Sequence, residues 1–436
     1  KLDDEIRKTR EELNEAGEAL QAAAPGFAAL VQETVSAKDA QALLAPHEAL
    51  VSVVMADNEG WVFLLRRDRI VVGRLDGGAK RANALVAKFR ASVEPGADSQ
   101  PPPFDIASAQ DLYTAVLGPV AAGLGDVTAI NVAPSGTLLS IPFGALLTGP
   151  ATADAFDKAP FLIRKMTVSH VPSVASFVNL RQSAKTAQAP EPWFGMGDYR
   201  APTLHQALAS FPPETCGQSA RELADLPPLP GSQRELAVAS KLLGATAGDE
   251  MLGVNFTAKN VRAAPLKNYR VLHFATHAVL PGELRCQSEP AVLTSTPEGA
   301  PDASGGLLTA SQIAQLDLNA ELVILAACNT GGDAAAGAGE SLSGLARSFF
   351  FAGARSLLVT HWDANDASTT YLTALFLASL QASPASGPAA ALASAQRRML
   401  DEATGANAAA GHPFYWAVVA LIGGRGAATG VTQAKL

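Results

Sequence analysis

The chain has 436 residues, 48% of them hydrophobic and 17% charged. That is enough apolar side chain for sizeable cores and too much for a disordered chain. Its 33 basic and 41 acidic residues leave a net charge of −8; there is no basic stripe to hold nucleic acid and no run of about 18 apolar residues to span a membrane.

At roughly 100–200 residues per domain the length predicts two or three units. Residues 1–44 read as a helical segment. Leu2, Ile6, Leu13, Ala16, Leu20 and Ala23 recur at helical spacing, Pro25-Gly26 interrupts them, and a second amphipathic stretch follows. This is either the end of a helical repeat array or a lead-in hairpin. The opening residues lack the pattern of a secretory signal.

From Ala49 the period changes to two. Strands are expected at 49–55, 61–65 and 69–75, the first two joined by the turn Ala56-Asp57-Asn58-Glu59-Gly60. The basic cluster Arg66-Arg67-Asp68-Arg69 is expected to be a solvated strand end. Helices at 82–93 and 108–122, strands at 127–132 and 161–171, and a helix at 173–180 complete a first α/β half, 45–185.

A linker rich in Ala, Gln and Ser leads into the second half, 190–436. Strands are expected at 193–196, 269–276, 321–327, 355–360 and 415–422, and helices at 232–243, 339–352, 369–381 and 389–402. Alternation of this kind predicts an α/β layer fold with a mainly parallel sheet. The nearly unbroken apolar run 321–327 suits a buried parallel strand. Residues 281–305 read as a long polar loop containing Arg285, of the sort used as a lid or processing site.

Two of these strands end in residues able to do nucleophilic chemistry. One runs straight into His277 and the other straight into Cys328, at the sheet edge where α/β proteins bind ligands. A free thiol, with a pKa of about 8.5, is mostly protonated at neutral pH; a neighbouring imidazole raises the reactive fraction. The backbone amides of Ala278 and Cys328 are candidate oxyanion donors. A lone Cys or His at a strand end is more often structural, and it is the matched placement that favours chemistry. The count of three cysteines, Cys216, Cys286 and Cys328, is odd and low for a disulfide framework and favours a reducing, cytoplasmic setting. Their surroundings lack metal-ligand spacing, so no zinc site is expected.

Several ordered motifs resemble the CHAT peptidases, caspase-like and separase-related domains often fused to tetratricopeptide repeats. The most specific are His273-Phe-Ala-Thr-His277, Leu325-Ala-Ala-Cys328-Asn-Thr-Gly331, the stretch from Gly339-Glu-Ser to Gly-Ala-Arg355, His361-Trp362 with Asp366 behind it, and His412-Pro-Phe-Tyr-Trp416. Weaker matches include Leu229-Pro-Gly231 with Glu235. The resemblance implies a caspase-like α/β sandwich with a degenerate first half, a Cys328–His277 dyad cleaving protein substrates, and no cofactor. It also implies a preference for a basic residue before the scissile bond. Bacterial relatives make a gasdermin-like substrate one option, and activation by processing or by a protein docked on the N-terminal helices is a further expectation.

Trp362, Asp363 and Asp366 are the candidate substrate-binding residues. Asp366 reads equally well as a helix-start carboxylate. His361 and Trp362 either line the cleft floor or are structural. His273 is expected to be a buried support, His412 structural, and Glu340 the opening of a helix. The competing function is a catalytically silent caspase-like scaffold for protein–protein interaction. A thiol acyl hydrolase or transferase acting on small molecules is the weaker third.

Overall fold

The structure is a computed structural model that describes residues 35–96, 100–152, 155–182, 188–211, 213–246, 248–279, 284, 287–326, 338–362 and 365–424. Most of the helical segment expected over 1–44 therefore lies outside the described residues. It is seen only from Val35, through a short helix α1 (Ala37–Ala42) capped by Ser36.

An 11-stranded sheet spans the protein in the order β3-β2-β1-β4-β5-β14-β13-β12-β8-β6-β7. Its strands are β1 (Glu48–Met55), β2 (Glu59–Leu65), β3 (Ile70–Asp76), β4 (Ala129–Ala133), β5 (Thr167–His170), β6 (Glu191–Gly197), β7 (Glu250–Leu252), β8 (Tyr269–Ala275), β12 (Leu322–Leu325), β13 (Ser356–Thr360) and β14 (Val419–Gly423). Strands β1, β4, β5 and β14 run parallel to one another, as do β13, β12, β8, β6 and β7. The two blocks meet antiparallel at β13–β14. The carboxyl ends of the second block therefore lie on the opposite edge of the sheet from those of the first.

Helices cover both faces because each strand turns apolar residues both ways. One face carries α2 (Gly78–Ala91), α3 (Ile106–Val116) and, over β5 and β14, α9 (Gly387–Glu402) on the first block, and α6 (Pro230–Leu243) and α8 (Asp366–Ala382) on the second. The other face carries α4 (Val174–Gln182), α5 (Pro213–Ala224) and α7 (Ala338–Ala352).

The structure corrects several expectations. Residues 281–305 are not simply a polar loop. The apolar run Ala291–Leu293 forms β10, which pairs with β9 (Ala278–Val279) and β11 (Leu307–Thr309) in a small antiparallel sheet; Arg285 itself lies outside the described residues. The expected strand at 161–171 is a helical turn, Leu162–Lys165, followed by the shorter β5. Arg66 is no solvated strand end. It is 3% exposed and clips the first block together through Asp126 Oδ1 and Oδ2 (2.8 and 2.9 Å), Gly123 O (3.0 Å) and Pro46 O (2.9 Å). Cys216, in α5, is disulfide-bonded, against the expectation drawn from the low cysteine count; its partner lies outside the described residues.

Candidate active site

Strands β8 and β12 are direct parallel neighbours, with Phe274 level with Leu325. The pairing continues past the strand end, where Ala326 N donates to Phe274 O at 3.0 Å. Cys328 stands two positions beyond Ala326 and lies outside the described residues, as does Asp363.

His277 follows β8 after a bend at Thr276, whose hydroxyl donates to Leu293 O at 2.8 Å. It is 7% exposed. Its Nε2 sits 2.9 Å from the main-chain carbonyl of Pro227. A carbonyl only accepts, so Nε2 carries the proton, and in the neutral ring Nδ1 is the basic nitrogen. Tyr199 packs edge-on against the imidazole, ring centroids 5.2 Å apart. Its hydroxyl donates toward Leu226 O and Pro227 O at 3.0 and 3.3 Å, and burial pushes that phenol up to about 12. Two donors thus converge on the carbonyls between α5 and α6, fixing both the tautomer and the ring plane.

Leu293 N donates to His277 O at 2.8 Å, and Ala278 stands opposite Val292. In an antiparallel pair the residue next to a hydrogen-bonded position turns its N–H away from the partner strand. The Ala278 amide accordingly points away from β10. Among described non-glycine residues only Asp198 has a positive φ, 54°, so the Ala278 backbone is unstrained.

Beside these strand ends lies a small cavity of about 30 Å³. Leu229, Gly231, Ser232 and Glu235 line it from the start of α6, Ala275, Ala326 and Thr360 from the three strand ends, and Asp366, Thr369 and Thr370 from the start of α8. Asp366 occupies the first turn of α8 behind the N-cap Asn365, where a carboxylate is favoured by the helix dipole, and it faces the cavity as well. Both of its sequence readings describe the same geometry. A Cβ placed on Gly231 would come 3.1 Å from Asp366 Oδ2, so the glycine allows the two helix starts to approach.

Glu235 was not among the expected pocket residues. It is 8% exposed, and its Oε1 meets Nε2 of the fully buried His273 at 3.1 Å. His273 is therefore a support for the cavity wall, directed at α6, while His277 is directed at Pro227. The signal in the sequence was the placement of Glu235 four residues after Gly231, quoted above only as part of a motif.

Two substrate-site expectations are corrected. Trp362 is fully buried in the core, with Nε1 donating to Phe414 O at 3.3 Å and the Arg90 guanidinium 5.7 Å from its ring. It has no surface left for a substrate. His361 is also buried, 5.9 Å from the His170 ring, and burial holds it well below the usual imidazole range. The cavity floor under β13 is Thr360. His412 is structural: Nδ1 accepts from Phe414 N at 3.1 Å and Nε2 bonds Pro102 O at 3.0 Å. The side chain of Glu340 is not among those described. No group of three or more His, Cys, Asp or Glu among the described residues is arranged to hold a metal ion, and no described helix is long and apolar enough to cross a membrane.

Comparison with known proteins places this geometry. The family model for the CHAT domain matches residues 107–424. Among solved structures, the separase–securin complex of Saccharomyces cerevisiae is similar over 89% of this chain and 30% of the separase chain, at 10% identity and a TM-score of 0.47. The Arg-specific cysteine proteinase gingipain R is similar over 79% of this chain and 74% of its own, at 10% identity and a TM-score of 0.41. The chain thus spans under a third of the separase it resembles. No curated protein sequence matches. With its large mainly parallel sheet, layered helices and a family match covering most of its length, the chain belongs to the CHAT domain family.

Proposed function

We propose that the chain is a cysteine endopeptidase in which Cys328 is the nucleophile and His277 the general base. The observation that carries this reading is the imidazole held at the carboxyl edge of β8 by the Pro227 carbonyl, beside the strand that leads into Cys328. Position 277 is three residues beyond Phe274 and position 328 three beyond its partner Leu325. Nδ1 of His277 takes the thiol proton, and the thiolate adds to the carbonyl carbon of the scissile peptide. The oxyanion is met by the amides of Ala278 and Cys328. Collapse expels the amine, which receives the proton from His277, and leaves a thioester; water, deprotonated by His277, releases the acid and restores the thiol.

The substrate side chain before the scissile bond is received at the rim of the cavity beside Ala326, where Asp366 and Glu235 favour a cation; Asp363 is a further candidate carboxylate. We therefore propose cleavage after Arg or Lys. Protein substrates, a gasdermin-like one included, control by a partner or by processing, and action in the cytoplasm belong to the same proposal. The last of these requires that the Cys216 disulfide be dispensable, because such bonds persist in oxidising compartments.

A fluorogenic peptide panel varied at the residue before the bond tests the reading. Turnover of Arg and Lys peptides, abolished in Cys328→Ala, is expected; turnover retained in Cys328→Ala, or confined to peptides with Asp at that position, overturns it.

A further inference from the structure

A second cavity opens at the other end of the strands that carry the candidate site. It holds about 390 Å³, and cavities of roughly 300–1,000 Å³ are the size that takes small organic molecules. Val271, Leu322 and Ser356 line it from the amino-terminal parts of β8, β12 and β13. The carboxyl ends of α6 and α8 add Leu243 and Leu380, and the start of α9 adds Gly387 and Pro388. At about 3.3 Å per strand residue, Val271 and His277 lie roughly 20 Å apart. The two cavities share no lining residue.

Three charged residues at the cavity stand in one row across the strand starts: Arg270, Glu321 and Arg355. Glu321 N donates to Arg270 O at 2.8 Å, and Leu322 is level with Val271. Two of the three are engaged. The Arg355 guanidinium donates to Asn319 Oδ1 at 2.8 Å, and Glu321 Oε1 accepts from Gln188 Nε2 at 2.8 Å. Arg270 is half-buried and has no side-chain hydrogen bond or ion pair among the described residues. Two cations and one carboxylate leave a single net positive charge beside an apolar floor, and a charge drawn out of water favours a counter-ion. The start of α9 adds to the positive side, because its N-cap Ser386 gives no side-chain bond to the first-turn amides. The carboxyl ends of α6 and α8 are closed by main-chain bonds from Gly244 and Ser383.

We propose that this cavity binds a small organic monoanion, an apolar body bearing one carboxylate, with Arg270 as its counter-ion. The body rests on Val271 and Leu322, between Leu243 and Leu380. A monoanion balances the single net charge, whereas a dianion would leave one charge desolvated and unmatched. The proposal is independent of the peptidase reading.

Isothermal titration calorimetry on the full chain tests it with two probes of one shape, naphthalene-2-carboxylate and the neutral naphthalene-2-carboxamide. One carboxylate is expected to bind per chain, with the amide about tenfold weaker, as befits one hydrogen bond to a charged group. Arg270→Gln should bring the carboxylate down to the level of the amide. It should leave the amide unchanged, which also shows the cavity intact. Ala385→Trp, at an exposed position on the cavity wall, should abolish binding of both probes. No binding of the carboxylate overturns the proposal, as does equal binding of the two probes by the unaltered chain. So does a carboxylate preference that survives Arg270→Gln, or binding that survives Ala385→Trp, because the anion is then held elsewhere.

Discussion

The two blocks of the sheet share layers and strand directions within themselves, yet their strand ends are built differently. In the first block, β4 and β5 end in Ala133 and His170, and Ala133 packs with Val171 and Phe177 in a closed cluster. In the second block, β8, β12 and β13 end beside a cavity walled by two helix starts. The contrast is clearest in two histidines. His170 and His277 are each 7% exposed and each stands at a strand end. His170 is set among Phe143 and His361, and burial pushes it down to about 4 although main-chain groups at Ile141 and Leu421 partly offset this. His277 has the Pro227 carbonyl behind Nε2 and the Tyr199 ring beside it. A strand end alone does not orient a ring; a main-chain acceptor behind one nitrogen does.

The sharpest way to break this comparison is to exchange the fates of the two rings. His277→Ala should lower kcat/KM by about 10⁴ or more, as loss of one member of a catalytic pair does, whereas His170→Leu should leave it within about threefold. Equal losses would show that the two sites are not different in kind. Next, Asp366→Asn should lower kcat/KM for an Arg peptide about tenfold to hundredfold, the range for one hydrogen bond to a charged group. An unchanged value would remove Asp366 from substrate recognition.

Smaller still is the effect of the orienting shell. Tyr199→Phe removes a neutral hydrogen bond worth about 1 kcal/mol, so roughly a fivefold loss in kcat is expected, accompanied by a shift in the acid limb of the pH–rate profile that a purely structural role would not produce. An unmoved acid limb would make Tyr199 packing alone. His170 in turn sets a stability window. Its folded-state pKa of about 4 lies below the ordinary 6.5, so between those values the unfolded chain binds more protons. Stability should be full above about pH 6.5 and fall as the pH drops towards 4. In His170→Leu that part of the acid sensitivity should vanish from urea-unfolding midpoints; an unaltered pH dependence would contradict the burial argument.

Much of this was legible in the sequence because it depended on side-chain pattern. Apolar runs leading into His277 and Cys328 mark two strands, and β8 and β12 are neighbours. What escaped depended on main chain or on tertiary depth. The acceptor behind His277 is the carbonyl of Pro227, and any residue supplies a carbonyl. His361 and Trp362 look like polar and aromatic cleft residues at a strand end, but Phe414, Arg90 and His170 close over them. Strand β10 was hidden among polar neighbours because three residues carry no readable period. Glu235 looked like a helix residue until the partner His273 identified it as part of the cavity wall.

The central claim is that one thiol in this protein is activated by His277. With Cys216 tied in a disulfide and only three cysteines in the chain, one thiol remains free, and Cys328 must be that one if it is the nucleophile. Labelling the unreduced protein with an iodoacetamide probe and mapping the adduct by peptide mass spectrometry decides it. The account predicts a single adduct on Cys328, formed faster than on a model thiol and slowed at least tenfold by His277→Ala. An adduct on Cys286 instead, or a Cys328 rate indifferent to His277, would contradict it.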